Sequence, residues 1–131
     1  DAGAVVLFCG LVRELYDGSE SSADCAAVAT LTLEHYPGMT EKALAEIEAQ
    51  ACTRWPLLAT RIVHRVGELS AKDQIVLVLA ASPHRHAAFE AAEFMMDFLK
   101  SRAPFWKKQS SANGSIWIDS RESDAQSLQR W

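Results

Sequence analysis

The sequence predicts an α+β domain with a mostly antiparallel sheet and two main helices. Short apolar or alternating runs predict strands, and two longer segments have helical spacing. Several of the strand-like runs lie close enough together to form hairpins, which favours antiparallel pairing. With 131 residues, the chain has room for one domain, residues 1–131, and not for a second.

The first two predicted strands lie in the N-terminal third of the chain. Residues 4–12 are apolar and β-branched, which predicts a buried strand, and Gly10 within them indicates a bulge. Residues 14–23 contain an Asp-Gly pair and several serines, which is typical of a surface loop that can act as a lid. Residues 27–36 alternate between polar and apolar, so we expect a half-buried strand there.

The first predicted helix follows a turn at Pro37-Gly38. Thr40 is a candidate cap for it, and Trp55-Pro56 ends it. Its apolar residues recur at helical spacing: Leu44, Ile47 and Ala51.

Three further strands are predicted in the remainder of the chain. Residues 61–66 and 74–81 are joined by residues 67–70 and a short charged segment. The run 74–81 is apolar throughout, which predicts a central strand. Asn113-Gly114 indicates a tight turn before a last strand at residues 116–119, and a short polar tail follows.

Between these strands lies a long apolar helix with cations at both ends. It begins after Pro83 with His84-Arg85-His86, where the free N–H groups of a helix start can bind an anion. A solvated loop end is an equally good interpretation of His84 and Arg85. At the far end, around Pro104, stand Lys100, Arg102, Lys107 and Lys108.

The lysines at the far end allow two interpretations. Lys100 alone is explained by a favourable contact with the helix dipole, and Asp97 would keep it charged. If Pro104 turns the chain so that Lys107 returns near Lys100, two close ammonium groups would favour loss of a proton from one of them. Such a pair is suited to proton transfer or nucleophilic attack.

Composition excludes several classes of function. The net charge of -4 argues against general binding to nucleic acid or anionic membranes, so an anion site must be local. The spacing of the four histidines and three cysteines does not suggest a metal site, and we expect no metal and no cofactor. Cys9, Cys25 and Cys52 form no C-x-x-C pair, which favours the reducing cytoplasm. No run is apolar enough to span a membrane.

The chain resembles a known family, the large, catalytic subunit of molybdopterin synthase. Matching segments occur in the right order over nearly the whole chain: LTLEHYPGMTEKALAEI at 31–47, HRVGEL at 64–69, His84-Arg85, FMMDFLKSRAPFWK at 94–107 and RESD at 121–124. The first and fourth are long and unusual enough to make chance similarity a poor explanation.

The resemblance implies an α/β hammerhead type of fold and a sulfur-transfer activity. In that family a small ubiquitin-like partner carries a thiocarboxylate on its C-terminal Gly-Gly and inserts that tail into the large subunit. Sulfur is delivered to cyclic pyranopterin monophosphate, forming the dithiolene of molybdopterin. The large subunit is a homodimer, and two small subunits complete a heterotetramer in the cytoplasm.

The resemblance also implies roles for individual residues. Lys100 would be catalytic with Lys107 as its companion, and His84 and Arg85 would come from the neighbouring subunit. The expected substrate-binding residues are Arg13, His84, Arg85, Lys100, Lys107, Lys108 and Arg121.

One departure from the family pattern, at Leu11, leaves an alternative open. Leu11 stands where a basic residue is common, and residues upstream of Asp1 that complete the family's first strand are expected to be missing. The alternative is an adaptor that docks a ubiquitin-like tail without catalysing a reaction. Lys108 stands where arginine is frequent, which keeps the charge but loses a bidentate fork.

Overall fold

The computed structural model describes residues 1–13, 30–111, 114–118 and 122–131. It confirms an α+β fold built from antiparallel sheets. In chain order the elements are β1 (Ala4–Leu11), β2 (Thr30–His35), α1 (Met39–Arg54), β3 (Ala59–His64), β4 (Gly67–Leu69), β5 (Gln74–Ser82), α2 (Arg85–Arg102), β6 (Phe105–Ser111), β7 (Gly114–Ile118) and α3 (Glu122–Leu128).

The first sheet has the strand order β1-β5-β3, with β5 in the centre as its apolar sequence predicted. The predicted burial of β1 was wrong, because β1 is an edge strand whose face opposite α2 is exposed. Alternate residues of β5 face helix α2 and are buried there: Val76, Val78 and Ala80. Helix α2 covers this face with alanines and larger apolar residues, including Ala91, Phe94 and Met95. The small alanines let α2 approach the sheet closely. The packed helix and sheet form a rigid layer that positions the residues at the two ends of α2.

The second sheet has the strand order β4-β2-β6-β7. Its buried face forms a smaller core from Leu31, Leu33 and Leu69, with Ile118 packed against it. Val12, directly after β1, and Ile75 of β5 belong to the same cluster. The second sheet therefore joins the first at the Gln74 end of β5.

Gly10 makes the irregularity that the sequence predicted in β1. The pairing register between β1 and β5 shifts between Gly10 and Leu11. A Cβ atom at Gly10 would lie 2.7 Å from Cγ1 of Val76, closer than the packed sheet allows. Glycine is required here by this close approach.

Helix α1 covers the outer edge of β3. Glu48 accepts a hydrogen bond from the Ile62 backbone N–H (3.2 Å) and another from the Thr60 hydroxyl (3.0 Å). Since β3 is an edge strand in this sheet, Glu48 satisfies a backbone donor that has no neighbouring strand.

The predicted cap of α1 was wrong. Gly38, with a φ of 85°, is the N-cap residue, and Glu41 accepts a hydrogen bond from its backbone N–H. Hydrogen bonds from the backbone N–H groups of Glu41 itself and of Gly38 lower the pKa of the Glu41 carboxyl. Thr40 instead accepts from the Tyr36 N–H (3.0 Å) and donates to the Pro104 carbonyl (3.2 Å).

Three elements differ from the sequence prediction. Residues 67–70 were expected to be a connection, and Gly67–Leu69 pairs with β2 as strand β4. The chain after Pro104 is strand β6, which pairs with β2 and β7. The polar tail contains helix α3, Glu122–Leu128. The predicted loop at 14–23, the start of the strand at 27–36, Asn113 and Asp119 lie outside the described residues.

None of the helices in the described ranges is both long and apolar enough to cross a membrane.

Candidate functional site

Lys100 stands in the last turn of α2 and meets a carboxylate from α3. Its Nζ lies 3.7 Å from Oδ1 of Asp124, and its side chain is 48% exposed. Ser101 next to it donates a hydrogen bond from its hydroxyl to the Asp124 carbonyl (3.1 Å). Helix α3 is thus fastened beside Lys100, whose ammonium group stays within reach of solvent and ligand.

Asp97 does not have the role that the sequence suggested. Its carboxylate, with the side chain 15% exposed, accepts hydrogen bonds from Arg130 Nη2 (2.9 Å) and Trp131 Nε1 (2.6 Å). Among the described residues, Asp124 is the ion-pair partner of Lys100, and Asp97 fastens the C-terminal residues to α2.

Lys107 and Lys108 lie on opposite faces of the second sheet, because neighbouring strand residues alternate. Lys107 pairs across the sheet with Leu33 and Ile118, on the face that forms the smaller core. Lys108 is on the other face, where its Nζ lies 5.7 Å from the centre of the Trp117 ring. The geometry therefore separates Lys108 from Lys107.

Several contacts fix the turn between α2 and β6. The Pro104 carbonyl accepts the hydroxyl of Thr40 (3.2 Å), and the Phe105 N–H donates to the Ala103 carbonyl (2.9 Å). The Phe105 ring stacks on His64 with ring centroids 3.8 Å apart. Pro104 turns the chain as predicted, and a direct approach of Lys107 to Lys100 stays a prediction.

His64 is partly buried at the end of β3. Its Nδ1 lies 2.7 Å from the Arg65 carbonyl oxygen. Burial lowers the pKa of the ring below its ordinary 6.5, the hydrogen bond to Arg65 opposes this, and the positive charge of Lys107 lowers it further. The imidazole is therefore neutral at pH 7.

Arg13 lies at the same end of the molecule. It is exposed and follows Val12, whose N–H donates to the Asp73 carbonyl (2.8 Å) and whose carbonyl accepts from the Lys72 N–H (2.8 Å). Helix α2 leaves the Ser82 end of β5 and packs back across β5 and β1, so its last turn lies toward Arg13. The ends of β1 and α2 and the start of β6, which carry Arg13, Lys100 and Lys107, therefore lie toward the Gln74 end of the first sheet.

His84 and Arg85 occupy the opposite end of α2. His84 is the N-cap residue, both side chains are exposed, and the first turn of the helix contains no acidic residue. Arg85 and Lys100 are separated along the helix by about 22 Å at 1.5 Å per residue. One chain therefore does not bring these two groups to the same small ligand.

The predicted binding residue Arg121 and the predicted absence of a metal site are not part of the contacts around Lys100. Arg121 lies outside the described residues. In the described ranges no three or more His, Cys, Asp or Glu side chains cluster in a way that could hold a metal ion, and Cys9 and Cys52 are free thiols.

Sequence reasoning missed Asp124 and His64 as members of this site. Asp124 is 24 residues after Lys100, in a tail without apolar periodicity, so spacing gave no signal. His64 was considered only as a metal ligand, and its contact with Phe105 depends on β6, which was not predicted.

Comparison with known proteins gives one consistent family. Residues 1–102 match the family model described as MoaE protein. The molybdopterin synthase catalytic subunit of Vibrio cholerae is 55% identical over 130 residues, which cover 99% of this chain and 82% of that protein. The crystal structure of molybdopterin synthase from Staphylococcus aureus matches with a TM-score of 0.81 at 39% identity, covering 90% of this chain and 81% of that chain.

A more distant structure shares the fold and contains two different subunits. It is a protein–protein complex of subunits 1 and 2 of the molybdopterin-converting factor from Helicobacter pylori. The match has a TM-score of 0.72 at 20% identity, covering 92% of this chain and 74% of that chain. At this identity the likeness concerns the fold alone.

Proposed function

The chain belongs to the MoaE protein family, and we propose that it is the catalytic subunit of a molybdopterin synthase that transfers sulfur to cyclic pyranopterin monophosphate. The sulfur comes from the C-terminal thiocarboxylate of a small ubiquitin-like partner. The observation that carries the proposal is the 55% identity to a molybdopterin synthase catalytic subunit over 99% of this chain. The position of Lys100, half exposed in the last turn of α2 and paired with Asp124, supports it.

The three cations, Arg13, Lys100 and Lys107, suit the transfer of sulfur from an anionic tail to an anionic substrate. Once the thiocarboxylate sulfur has bonded to the substrate, water attacks the acyl carbon, the carbon–sulfur bond breaks, the sulfur stays on the substrate and the tail leaves as a carboxylate. Negative charge develops on the acyl oxygen during this attack, and an ammonium group beside it stabilises that charge. We assign this role to Lys100, whose ion pair with Asp124 orients it while leaving it half exposed. Lys107 is its companion, and Arg13 meets the substrate phosphate or pterin.

The other predicted binding residues have roles that rest on their positions or on the family resemblance. His84 and Arg85 form an anion-binding helix start in the second copy of the chain, since they lie too far from Lys100 in their own. Arg121 is assigned to the same pterin pocket from the family resemblance. Lys108 contacts Trp117 on the outer face of the second sheet, and we give it an indirect role at the pocket rim.

A homodimer is part of the proposal, and the first sheet offers a surface for it. The face of this sheet opposite α2 exposes apolar side chains to solvent: Val5 (60%), Leu7 (55%) and Val63 (46%). Leu77 and Leu79 of the central strand lie on the same face. Arg61 is a charged member of this face. Exposed apolar side chains grouped in this way mark an interface, and we assign it to a second copy, with one small subunit bound to each copy in the cytoplasm.

The proposal is tested by reconstituting the reaction. The chain is mixed with a small subunit bearing a C-terminal thiocarboxylate and with cyclic pyranopterin monophosphate, and molybdopterin is measured after conversion to a fluorescent derivative. The matched control is the same small subunit with an ordinary carboxylate. Formation of molybdopterin with the thiocarboxylated small subunit, and not with the carboxylate control, supports the proposal. A stable complex that forms no product would favour an adaptor.

A further inference from the structure

His64 contacts the strand that carries Lys107, and the sulfur-transfer proposal leaves it without a role. The imidazole ring stacks on Phe105 with a centroid separation of 3.8 Å and an interplanar angle of 18°. Phe105 stands two residues before Lys107 in β6, so both side chains lie on the same face of the second sheet. The stack therefore holds β6 where it turns toward the site.

The hydrogen bond of His64 fixes its tautomer. A backbone carbonyl oxygen only accepts hydrogen bonds, so Nδ1, 2.7 Å from the Arg65 carbonyl oxygen, must carry the proton. In the neutral ring, Nε2 then keeps its lone pair. His64 thus offers Lys107 an uncharged neighbour with an acceptor atom, not a second cation.

Two polar side chains near the stack, Arg65 and His35, have partners of their own. The Arg65 side chain donates to the Gln74 carbonyl (3.1 Å). His35, which pairs with Phe105 from β2, lies 3.8 Å from the Glu41 carboxylate. The electrostatic interaction of His64 is with Lys107.

We propose that His64 is a positioning residue for Lys107: its neutral ring holds Phe105 in place and so sets where the Lys107 ammonium group stands. This inference rests on the proposed function and deepens it, because it makes His64 act through a catalytic companion without touching the substrate. Two independent contacts carry it, the ring stack and the hydrogen bond that fixes the tautomer.

A double-mutant cycle on the reconstituted complex tests the proposal. His64→Ala should lower kcat about tenfold with little change in KM, since it removes an interaction that orders the reacting state. His64→Phe keeps a stacking ring without charge and should recover most of kcat. In a Lys107→Ala background, His64→Ala should have no further effect, because its action passes through Lys107.

Two kinetic results would overturn the proposal. The first is a wild-type kcat for His64→Ala. The second is a full additional loss when His64→Ala is combined with Lys107→Ala, as a purely structural role would give. Thermal unfolding of each variant identifies losses that come from unfolding.

A second measurement does not depend on turnover. An NMR titration of the His64 ring should show its pKa rising when Lys107 is replaced by Met, because the cation that disfavours protonation is removed. An unchanged pKa would contradict the contact. If wild type forms no product while this shift occurs, the sulfur-transfer proposal fails and the link between His64 and Lys107 stands.

Discussion

Lys100, at the end of α2, is held by a carboxylate from another helix. Its ion pair with Asp124, at 3.7 Å and half exposed, is of a kind that contributes at most about 1 kcal/mol to stability. The ion pair therefore matters mainly because it orients the Lys100 ammonium group, which stands at the end of a side chain that would otherwise rotate freely. His64 adds the same kind of constraint on Lys107.

His64 also predicts how stability depends on pH. Its pKa is lowered in the folded chain, mainly by burial, from an ordinary value of 6.5. Below about pH 6.5 the His64 ring is protonated in the unfolded chain but stays neutral in the folded chain. The contribution of His64 to the free energy of unfolding is therefore complete above that pH and is lost as pH falls through the folded pKa. Wild type should lose more unfolding free energy than His64→Phe between about pH 7.5 and pH 5.

Urea unfolding at both pH values measures this difference. Equal losses in wild type and His64→Phe would show that the ring is not buried as described.

At the scale of elements, α1 does more than cover the core. Glu48 uses both carboxylate oxygens on the edge strand β3, one on the Ile62 N–H and one on the Thr60 hydroxyl. Strand β3 ends at His64, whose ring stacks on Phe105. The two hydrogen bonds to Glu48 therefore stabilise the strand that carries this stack. Thr40 adds a second tie by donating to the Pro104 carbonyl.

Glu48→Ala should destabilise the fold by about 1–3 kcal/mol, because it leaves a backbone donor without its partner. Glu46→Ala is the matched control, since Glu46 is exposed on the same helix and should change stability by less than about 0.5 kcal/mol. Chemical denaturation of both variants decides the matter. Equal stabilities would mean that water replaces the Glu48 carboxylate at no cost.

The elements that the sequence missed share a physical cause. Strand β6 begins with Phe105-Trp106-Lys107-Lys108. In the sequence this segment resembles the basic end of the preceding helix, because its apolar and polar residues do not alternate. The difference between its two faces becomes visible only when its pairing with β2 and β7 is known. Strand β4 has three residues, too few to show a period, and α3 has no apolar stripe and is held by contacts such as Ser101 to Asp124. The long strands and helices, with clear periodicity, were predicted.

At the scale of the whole molecule, the cations fall into two groups at opposite ends of α2. Arg85 and Lys100 lie about 22 Å apart along the helix, so one ligand meets both only if two chains share a site. The sequence alone supplied these residues through motifs and family resemblance. The sequence also predicted one long helix with cations at both ends, and the continuity of α2 from Arg85 to Arg102 confirms it.

Shared sites predict complementation between two inactive variants. In a dimer of one Arg85→Ala chain and one Lys100→Ala chain, one site receives both intact residues, so activity should reach about half of wild type. Such dimers can be isolated with two different tags and assayed for molybdopterin.

Two comparisons make the complementation result decisive. Each variant alone should stay nearly inactive, and adding Leu7→Asp to both chains should abolish recovery by placing charge on the exposed apolar face. No recovery in mixed dimers that bind the small subunit normally would mean that each site belongs to one chain.

The most direct test of the account is a single-turnover conversion of cyclic pyranopterin monophosphate with a thiocarboxylated small subunit, comparing wild type with Lys100→Ala. Because Lys100 is half exposed and contributes little to the core, the variant should fold and bind the small subunit normally. We expect a rate at least about 100-fold lower, the loss typical of removing a group that stabilises a developing oxyanion. A wild-type rate from Lys100→Ala would contradict it.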